Sequence, residues 1–280
     1  PDPRPFVMND RLVPIGVVGA RGRMGKTLLR EIILSEQMVL EAAVDREGGP
    51  GLGQDAGRVA GLHDVGLTLV DELRPRRSSV VVDFSLPDAT DANIRRCVDA
   101  GVPLVLGTTG LGKDTMALLR EASREIAIVS AANFSVGVTL LTKLAGVVAR
   151  ALGESWDAEL LEIHHTHKRD APSGTALRIA KSVAKANGRD LEQVLRTDRA
   201  SRGSRPHERG EIGVAAVRGG DSIGEHTLMF LAEGERLELT HRAFDRAIFA
   251  RGALRAARWV SGRAPGLYTM ADVIGLGDLG

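Results

Sequence analysis

The sequence predicts an α/β protein, a Rossmann-type doubly wound parallel sheet joined to a second α+β domain built on a mixed, largely antiparallel sheet. Three observations predict it. Residues 11–134 alternate short Val- and Ile-rich runs with helix-like stretches, the rhythm of βαβ units. The first run ends in a glycine turn, GARGRMG, that opens a helix-like stretch. From residue 135 the rhythm changes to helix, strand, helix and then three closely spaced strand candidates.

The first-domain strand candidates are LVPIGVVG, MVLEAAVD, LTLV, SVVVDF, VPLVLGTTG and IAIVSAAN. They are nearly continuous in apolar residues, as strands covered on both faces must be. Helix candidates between them span 23–34, 88–100 (after Pro87) and 114–125 (after the turn at Gly110 and Gly112). In the second half, 136–152 reads as a long helix, 157–165 as a strand and 173–187 as a helix. An Arg/Ser/Gly-rich stretch at 197–210 reads as a mobile loop. Strand candidates follow at 211–218, 225–231 and 236–241, then a helix at 243–260. The expected domains are 1–134 plus 244–280 for the dinucleotide, and 135–243 for the substrate and for oligomerisation. The first ten residues are expected to form a loose arm.

Bulk properties exclude several function classes. A net charge of +1, with arginines dispersed among acids, excludes the localised basic excess of a nucleic-acid binder. The single cysteine, Cys97, excludes an internal disulfide and fits a reducing compartment. Its place in a helical pattern marks it as a small buried hydrophobe. The longest charge-free run, 126–142, is too short to span a membrane and carries Ser, Asn and Gly. The N-terminus lacks the shape of a signal peptide. A cytoplasmic protein without a membrane segment is expected. Aromatics make up 3% of residues, so the core must rest on Val, Ile, Leu and Ala.

Glycines at a strand–helix turn let backbone approach a pyrophosphate, whose charge then sits on the helix N-terminus. The spacing here is G-x-x-G-x-x-G (Gly19, Gly22, Gly25), and Arg21 within it can itself reach phosphate. A purely structural turn is the alternative. Asp45 favours the nucleotide reading: it ends the second strand about 20 residues on, where an acid accepts hydrogen bonds from the adenosine ribose. Arg46 stands next to it, able to bind a 2′-phosphate, so the pair suggests tolerance of both NADH and NADPH. The segments Gly107-Thr108-Thr109-Gly110 and Ala131-Ala132-Asn133-Phe134 end two further strands, where ligands of open α/β sheets bind.

Residues 162–176, EIHHTHKRDAPSGTA, crowd His164, His165, His167 and Lys168 before a helix entry at Pro172 or Ser173. The amides of Ser173, Gly174 and Thr175 are expected to point outward as a carboxylate site. Three readings compete: a metal site, a polar loop with an N-cap, and an anionic-substrate pocket with proton-transfer chemistry. No cysteine is nearby, and H-H-x-H lacks the i, i+4 spacing of a zinc helix. A histidine beside a lysine and a helix N-terminus has a depressed pKa unless an acid compensates. Bound substrate carboxylates would reverse this and make it a proton donor.

The His-rich block closely resembles the signature of the bacterial dihydrodipicolinate reductase family. GARGRMG, DFSLP, GTTG, AANFSVGV, VRGGDSIGEHTLMF and ELTHR resemble further family blocks, in family order from about Leu12 to the C-terminus. The resemblance implies hydride transfer from NADH or NADPH, plus one proton, to a cyclic, conjugated imine dicarboxylate on the diaminopimelate route to lysine. It implies His164 as proton donor and Lys168 as its catalytic partner, with His165, Gly174 and Thr175 holding a substrate carboxylate. It places the cofactor on Gly19, Ala20, Arg21, Gly22, Arg23, Met24, Asp45, Arg46, Gly107, Thr108, Thr109, Ala131, Ala132, Asn133 and Phe134. No metal is implied, and the second domain is implied to form a homotetramer. The sequence departs from the family at Arg21, where a small residue is common, and at Asp45, where some members carry the longer glutamate. Two rivals are another Rossmann oxidoreductase of amino-acid metabolism and a non-catalytic NAD(P)-sensing protein. The first should lack the His-Lys block and the second the proton donor.

Overall fold

The computed structural model describes residues 12–77, 79–198 and 206–278. The expected N-terminal arm and the middle of the expected 197–210 loop lie outside the described residues. The chain divides into two compact units, one comprising residues up to Phe134 together with Phe249–Val273, the other Ser135–Ile248 and the residues from Ile274 onward.

The first unit begins with β1 (Val13–Val18), α1 (Arg23–Ile33), β2 (Met38–Val44), a short α2 (Ala56–Val59) and β3 (Leu69–Val70). It continues with β4 (Val80–Asp83), α3 (Pro87–Ala100), β5 (Leu104–Leu106), α4 (Lys113–Ala122) and β6 (Ala127–Ser130). Proline at the first position of α3 presets its φ, and Gly101 at φ 63° ends it in the left-handed region that a Cβ disfavours. The strands pair in parallel, in the order β3-β2-β1-β4-β5-β6. Chain order reverses between β1 and β4, so a crevice opens there at the carboxyl ends of the strands. Ile15, Val17, Val82, Leu104, Val105 and Ile128 are all fully or almost fully buried, which explains the continuous apolar runs. Each such side chain contributes roughly 1.5–3 kcal/mol.

The second unit opens with α5 (Val136–Leu152), a 3₁₀ turn (Gly153–Ser155) and β7 (Asp157–His164). Then come α6 (Gly174–Ala186), α7 (Leu191–Val194), β8 (Leu195–Arg196), β9 (Ile212–Arg218), β10 (Gly224–Ala232) and β11 (Glu235–Ala243). The sheet order is β11-β10-β7-β9-β8. β10 runs antiparallel to β11 and β7, whereas β9 runs parallel to β7 and β8, so the sheet is mixed. β7 alternates strictly: Ala158, Leu160, Glu162 and His164 are buried, and the residues between them are half-buried. The buried face meets α5 and α6 in one core that includes Leu141, Ala145, Ile179, Val183, Leu228 and Phe230. The two helices approach closely at Gly146, where a Cβ would stand 2.8 Å from the Ser182 hydroxyl.

Three details differ from the sequence reading. The strand expected at 157–165 ends at His164. The final long helix, α8 (Ala247–Val260), starts four residues later than expected, because Ala243 still pairs with Gly224 in β11 and Asp245 accepts the Ala247 amide at the helix entry. A short strand, β12 (Gly266–Tyr268), extends the first sheet beside β6, and α9 (Met270–Val273) follows it. Among the described residues one helix, Val136–Ser155, is long and apolar enough to cross a membrane by length and composition alone. A search for charge-free runs misses it because Lys143, Arg150 and Glu154 interrupt it. Leu141, Ala145 and Ala149 of this helix sit in the core of the second unit.

Candidate active site

In the first unit, the glycine turn is built by close backbone approach. Gly19 has φ 76°, and a Cβ there would stand 2.8 Å from the Phe84 carbonyl oxygen. A Cβ on Gly25 would stand 2.1 Å from the Gly19 oxygen, so only glycine lets α1 leave the strand this tightly. The Gly22 amide donates to the Gly19 carbonyl at 3.0 Å. Gly22 then caps α1 with no side-chain hydrogen bond, which leaves the first-turn donors of α1 without a side-chain acceptor. By contrast α5 and α6 each carry a serine cap.

Asp45 follows β2 and ties the turn down. Its Oδ2 accepts the Arg21 amide at 2.7 Å and its Oδ1 the Arg46 amide at 2.9 Å. Each oxygen retains acceptor capacity for a ribose hydroxyl. The Arg21 side chain lies along the 51–54 loop, and a Cβ on Gly51 would stand 3.0 Å from its Nε. Arg46 is exposed. Gly107 faces the Phe84 ring so closely that a Cβ would stand 2.4 Å from it. Thr108 is buried and donates its hydroxyl to the Ser85 carbonyl at 3.1 Å, while Thr109 is exposed. The Ala131 amide donates to the Leu106 carbonyl at 3.2 Å, and buried Phe134 packs on Phe84 with centroids 5.5 Å apart. All of these segments follow the carboxyl ends of parallel strands β1, β2, β5 and β6. Asp83, at the end of β4, is fully buried and accepts the Ser85 amide at 2.7 Å and the Asn93 side chain at 2.9 Å. Burial pushes its carboxyl above the ordinary range.

In the second unit, a cluster of charged groups surrounds His164. The imidazole Nδ1 is hydrogen-bonded to Glu162 Oε2, two residues back on the same face of β7. Glu162 is fully buried and every acceptor oxygen is occupied. Arg218, paired with His164 across the β7–β9 ladder, donates Nη1 to Oε2 at 3.1 Å and Nη2 to Oε1 at 2.8 Å. The Ser173 amide donates to Oε1 at 3.1 Å. That last bond corrects the expectation at the helix entry: the Ser173 amide is turned inward to Glu162 and does not point outward. The Ser173 hydroxyl accepts the Ala176 amide at 3.1 Å as the cap of α6 and contacts His226 Nε2 at 3.2 Å. Gly174 begins the helix and is exposed; Thr175 Oγ1 accepts from Arg178 Nη2 at 3.3 Å. Lys168 pairs with Asp170 at 2.9 Å, and the Arg218 guanidinium also holds the Asp170 carbonyl at 2.6 Å. The His165 amide is fixed to the Ser222 carbonyl at 2.7 Å, and its ring stands 6.1 Å from that of His167.

Electrostatics follow from these contacts. Burial pushes Glu162 up, but Arg218, His164 and the Ser173 amide outweigh it and hold the carboxyl below its ordinary range. Burial depresses His164; Glu162 opposes this, and Lys168 and Arg218 reinforce it, so the net shift is downward. His226 is depressed to about 4, first by burial and then by His164. Lys168 leads the groups that hold Asp170 below the usual carboxylate range, with the Gly174 amide contributing. Donor atoms of Glu162, His164 and His226 lie within 4.8 Å of one another, the spacing of a metal site. A dication there would have to displace the bidentate Arg218 guanidinium from Glu162, the one carboxylate of the three.

The sequence reading grouped His164, His165, Lys168, Gly174 and Thr175; in the structure His164 ends β7, His165 and Lys168 follow it in the loop, and Gly174 and Thr175 open α6. It gave no role to Glu162, Arg218, His226 or Gly224. Glu162 was within reach, since strand alternation puts residues i and i+2 on one face. Gly224 leaves the Nε2 edge of His164 open, because a Cβ there would stand 2.8 Å from that nitrogen.

A parallel sheet in 3-2-1-4-5-6 order with a bare helix N-terminus, in a chain that also carries a buried His–Glu–Arg cluster, is the build of a pyridine-nucleotide reductase. Comparison with known proteins is specific. The family model described as "Dihydrodipicolinate reductase, N-terminus" matches residues 13–134, and the one described as "Dihydrodipicolinate reductase, C-terminus" matches 137–274. A protein of Pseudomonas fluorescens named 4-hydroxy-tetrahydrodipicolinate reductase is 50% identical over 266 residues, covering 94% of this chain and 98% of that one. One of the same name from Alkalilimnicola ehrlichii is 48% identical over 264 residues, with the same two coverages. A solved dihydrodipicolinate reductase from Paenisporosarcina sp. TG-14, with dipicolinate bound, superposes with a TM-score of 0.73 at 22% identity, over 94% of this chain and 100% of that one. The chain belongs to the dihydrodipicolinate reductase family.

Proposed function

We propose that this chain reduces 4-hydroxy-tetrahydrodipicolinate to tetrahydrodipicolinate, with His164 supplying the proton. The observation that carries the reading is the buried His164, paired through Nδ1 to an ionised Glu162 and open at Nε2. Close to full-length relatives at 48–50% identity bear the name of that activity.

The residues of the first unit fit a nicotinamide dinucleotide. Gly19, Gly22 and Gly25 keep the backbone bare of Cβ atoms, and the uncapped first turn of α1, at Arg23 and Met24, offers amides to a pyrophosphate. Ala20 and Arg21 complete the turn, and Asp45 holds the adenosine ribose, with Arg46 beside it for a 2′-phosphate. Gly107, Thr108 and Thr109, with Ala131, Ala132, Asn133 and Phe134, line the strand ends where the reactive ring would lie. The cofactor, NADH or NADPH, supplies the hydride when bound. The substrate hydroxyl leaves as water with a proton from the ring carbon between it and the imine carbon; hydride would then add at the carbon that bore the hydroxyl, and His164 Nε2 would give its proton to the carbanion formed beside the imine carbon. Lys168 stabilises developing charge, and His165 with the α6 amides at Gly174 and Thr175 holds a carboxylate. Two substrate carboxylates raise the His164 pKa from its depressed resting value, so the proton is loaded when substrate arrives.

The two units take the corresponding roles, the first for dinucleotide and the second for the cyclic dicarboxylate. The sheet face of the second unit that turns away from α5 and α6 carries Leu161, Ile163 and Val217, none of them buried, with Val217 44% exposed. Such a face suits a homotetramer built from four copies. The setting is the cytoplasm, and neither nucleic acid nor membrane is a partner. The test is NADH and NADPH oxidation with freshly generated product of the preceding synthase. Turnover with that compound is expected, and oxidation no faster than without it would overturn the reading.

A further inference from the structure

We infer that Glu162, clamped by Arg218, is the positioning residue that fixes the proton of neutral His164 on Nδ1 and so dedicates Nε2 to proton transfer. The inference rests on the donor role proposed above and deepens it. Three elements converge on the carboxylate. β7 places Glu162 beside His164 by two-residue alternation. β9 brings Arg218 opposite His164 in the ladder. The α6 entry brings the Ser173 amide.

The chemistry of the shell decides the role. Glu162 accepts from Arg218 twice, at 3.1 and 2.8 Å, and from Ser173 at 3.1 Å. An ionised carboxylate is an acceptor only, so the Nδ1 that meets it must carry hydrogen. Neutral imidazole has one N–H, and Nε2 is then the bare nitrogen that receives and gives up the transferred proton. Full burial of Glu162 excludes water as a competing partner. Arg218 prevents the obvious failure of such a pair, in which the carboxylate itself takes the proton.

The other titratable and charged groups around the ring are Lys168 in the following loop, Arg218 on β9 and His226 on β10, whose ring meets that of His164 edge-on at 5.2 Å. Lys168 is balanced by Asp170 at 2.9 Å. Every cation in this set disfavours imidazolium, and Glu162 alone favours it. The same contact therefore sets the tautomer and supports the protonated state.

Two measurements on the full chain test this. Imidazole nitrogen NMR of wild type, with resonances assigned through His164→Gln, should show neutral His164 protonated on Nδ1; a dominant Nε2–H tautomer overturns the inference without need of any further variant. In Glu162→Gln the amide can donate or accept. The tautomer preference should be lost, and the pH-rate limb assigned to the donor should move about one unit or more toward acid, with kcat at pH 7 falling about 10- to 100-fold and cofactor affinity unchanged. An unchanged limb and tautomer in Glu162→Gln sink the positioning role while leaving the donor role standing. Unchanged turnover in His164→Gln sinks the donor role instead.

Discussion

The glycine turn of the first unit and the histidine cluster of the second solve opposite problems. At the turn, binding capacity comes from what is missing: side chains are absent at Gly19, Gly22 and Gly25, and the first turn of α1 has no side-chain cap. In the cluster, capacity comes from saturation. Glu162 has every oxygen engaged, and Ser173 both caps α6 and touches His226. A ligand completes the first site, whereas in the second the Glu162 carboxylate is already saturated by the protein and His164 keeps Nε2 for the reaction. Substitutions should therefore damage the two regions differently, by steric intrusion at the turn and by altered proton chemistry at the cluster.

A large effect on binding is expected at the turn. Gly25→Ala places a methyl 2.1 Å from the Gly19 carbonyl oxygen, a backbone contact that no rotamer can relieve. Dinucleotide affinity, read by fluorescence titration, should fall by about 100-fold or more. Near-normal affinity would show that the turn is not the binding element. A smaller loss is expected from Gly224→Ala, whose methyl would stand 2.8 Å from His164 Nε2. It should lower kcat about tenfold or more and leave cofactor affinity intact. A loss of cofactor binding would instead break the division of labour between the two sites.

Acid separates the units more gently. Folded His226 takes its proton only near pH 4, whereas the unfolded residue takes it near 6.5, so this group's contribution is present above 6.5 and lost as pH falls toward 4. The loss is on the order of 3 kcal/mol. Glu162, depressed in the folded state, adds a loss at still lower pH. Asp83 of the first unit is raised, so acid favours its folded form. Hydrogen exchange, corrected for intrinsic rates, should show protection in β7 and β10 weakening between pH 6.5 and 4 before that in β1 and β4. The reverse order would contradict the assignment of charge states. The smallest effect is expected from Arg46→Ala, which should weaken NADPH a few-fold more than NADH. Equal losses would remove Arg46 from 2′-phosphate recognition.

The two regions were also unequally legible in the sequence. The turn is local: a strand, three glycines, a helix and an acid about 20 residues on can be read in order. The parallel strands were legible for a similar reason, since burial on both faces leaves continuous apolar runs. β12 was not, because three residues flanked by Pro265 and Thr269 carry no periodicity and gain strand geometry only by pairing with β6. The cluster is legible only in part. His164 and Lys168 stand out by crowding, and Glu162 follows from alternation. Arg218 and His226 join them across strand registers that span more than 50 residues, and no local pattern reports that register. The inward turn of the Ser173 amide was likewise hidden, since it depends on where β7 places Glu162.

His164 of the second unit gives up the proton, while the residues that fit the dinucleotide belong to the first unit. The most direct measurement pairs turnover with cofactor affinity in His164→Ala. A fall in kcat of about 100- to 1,000-fold at wild-type dinucleotide affinity is predicted. Wild-type turnover, or a loss explained entirely by weaker dinucleotide binding, would contradict it.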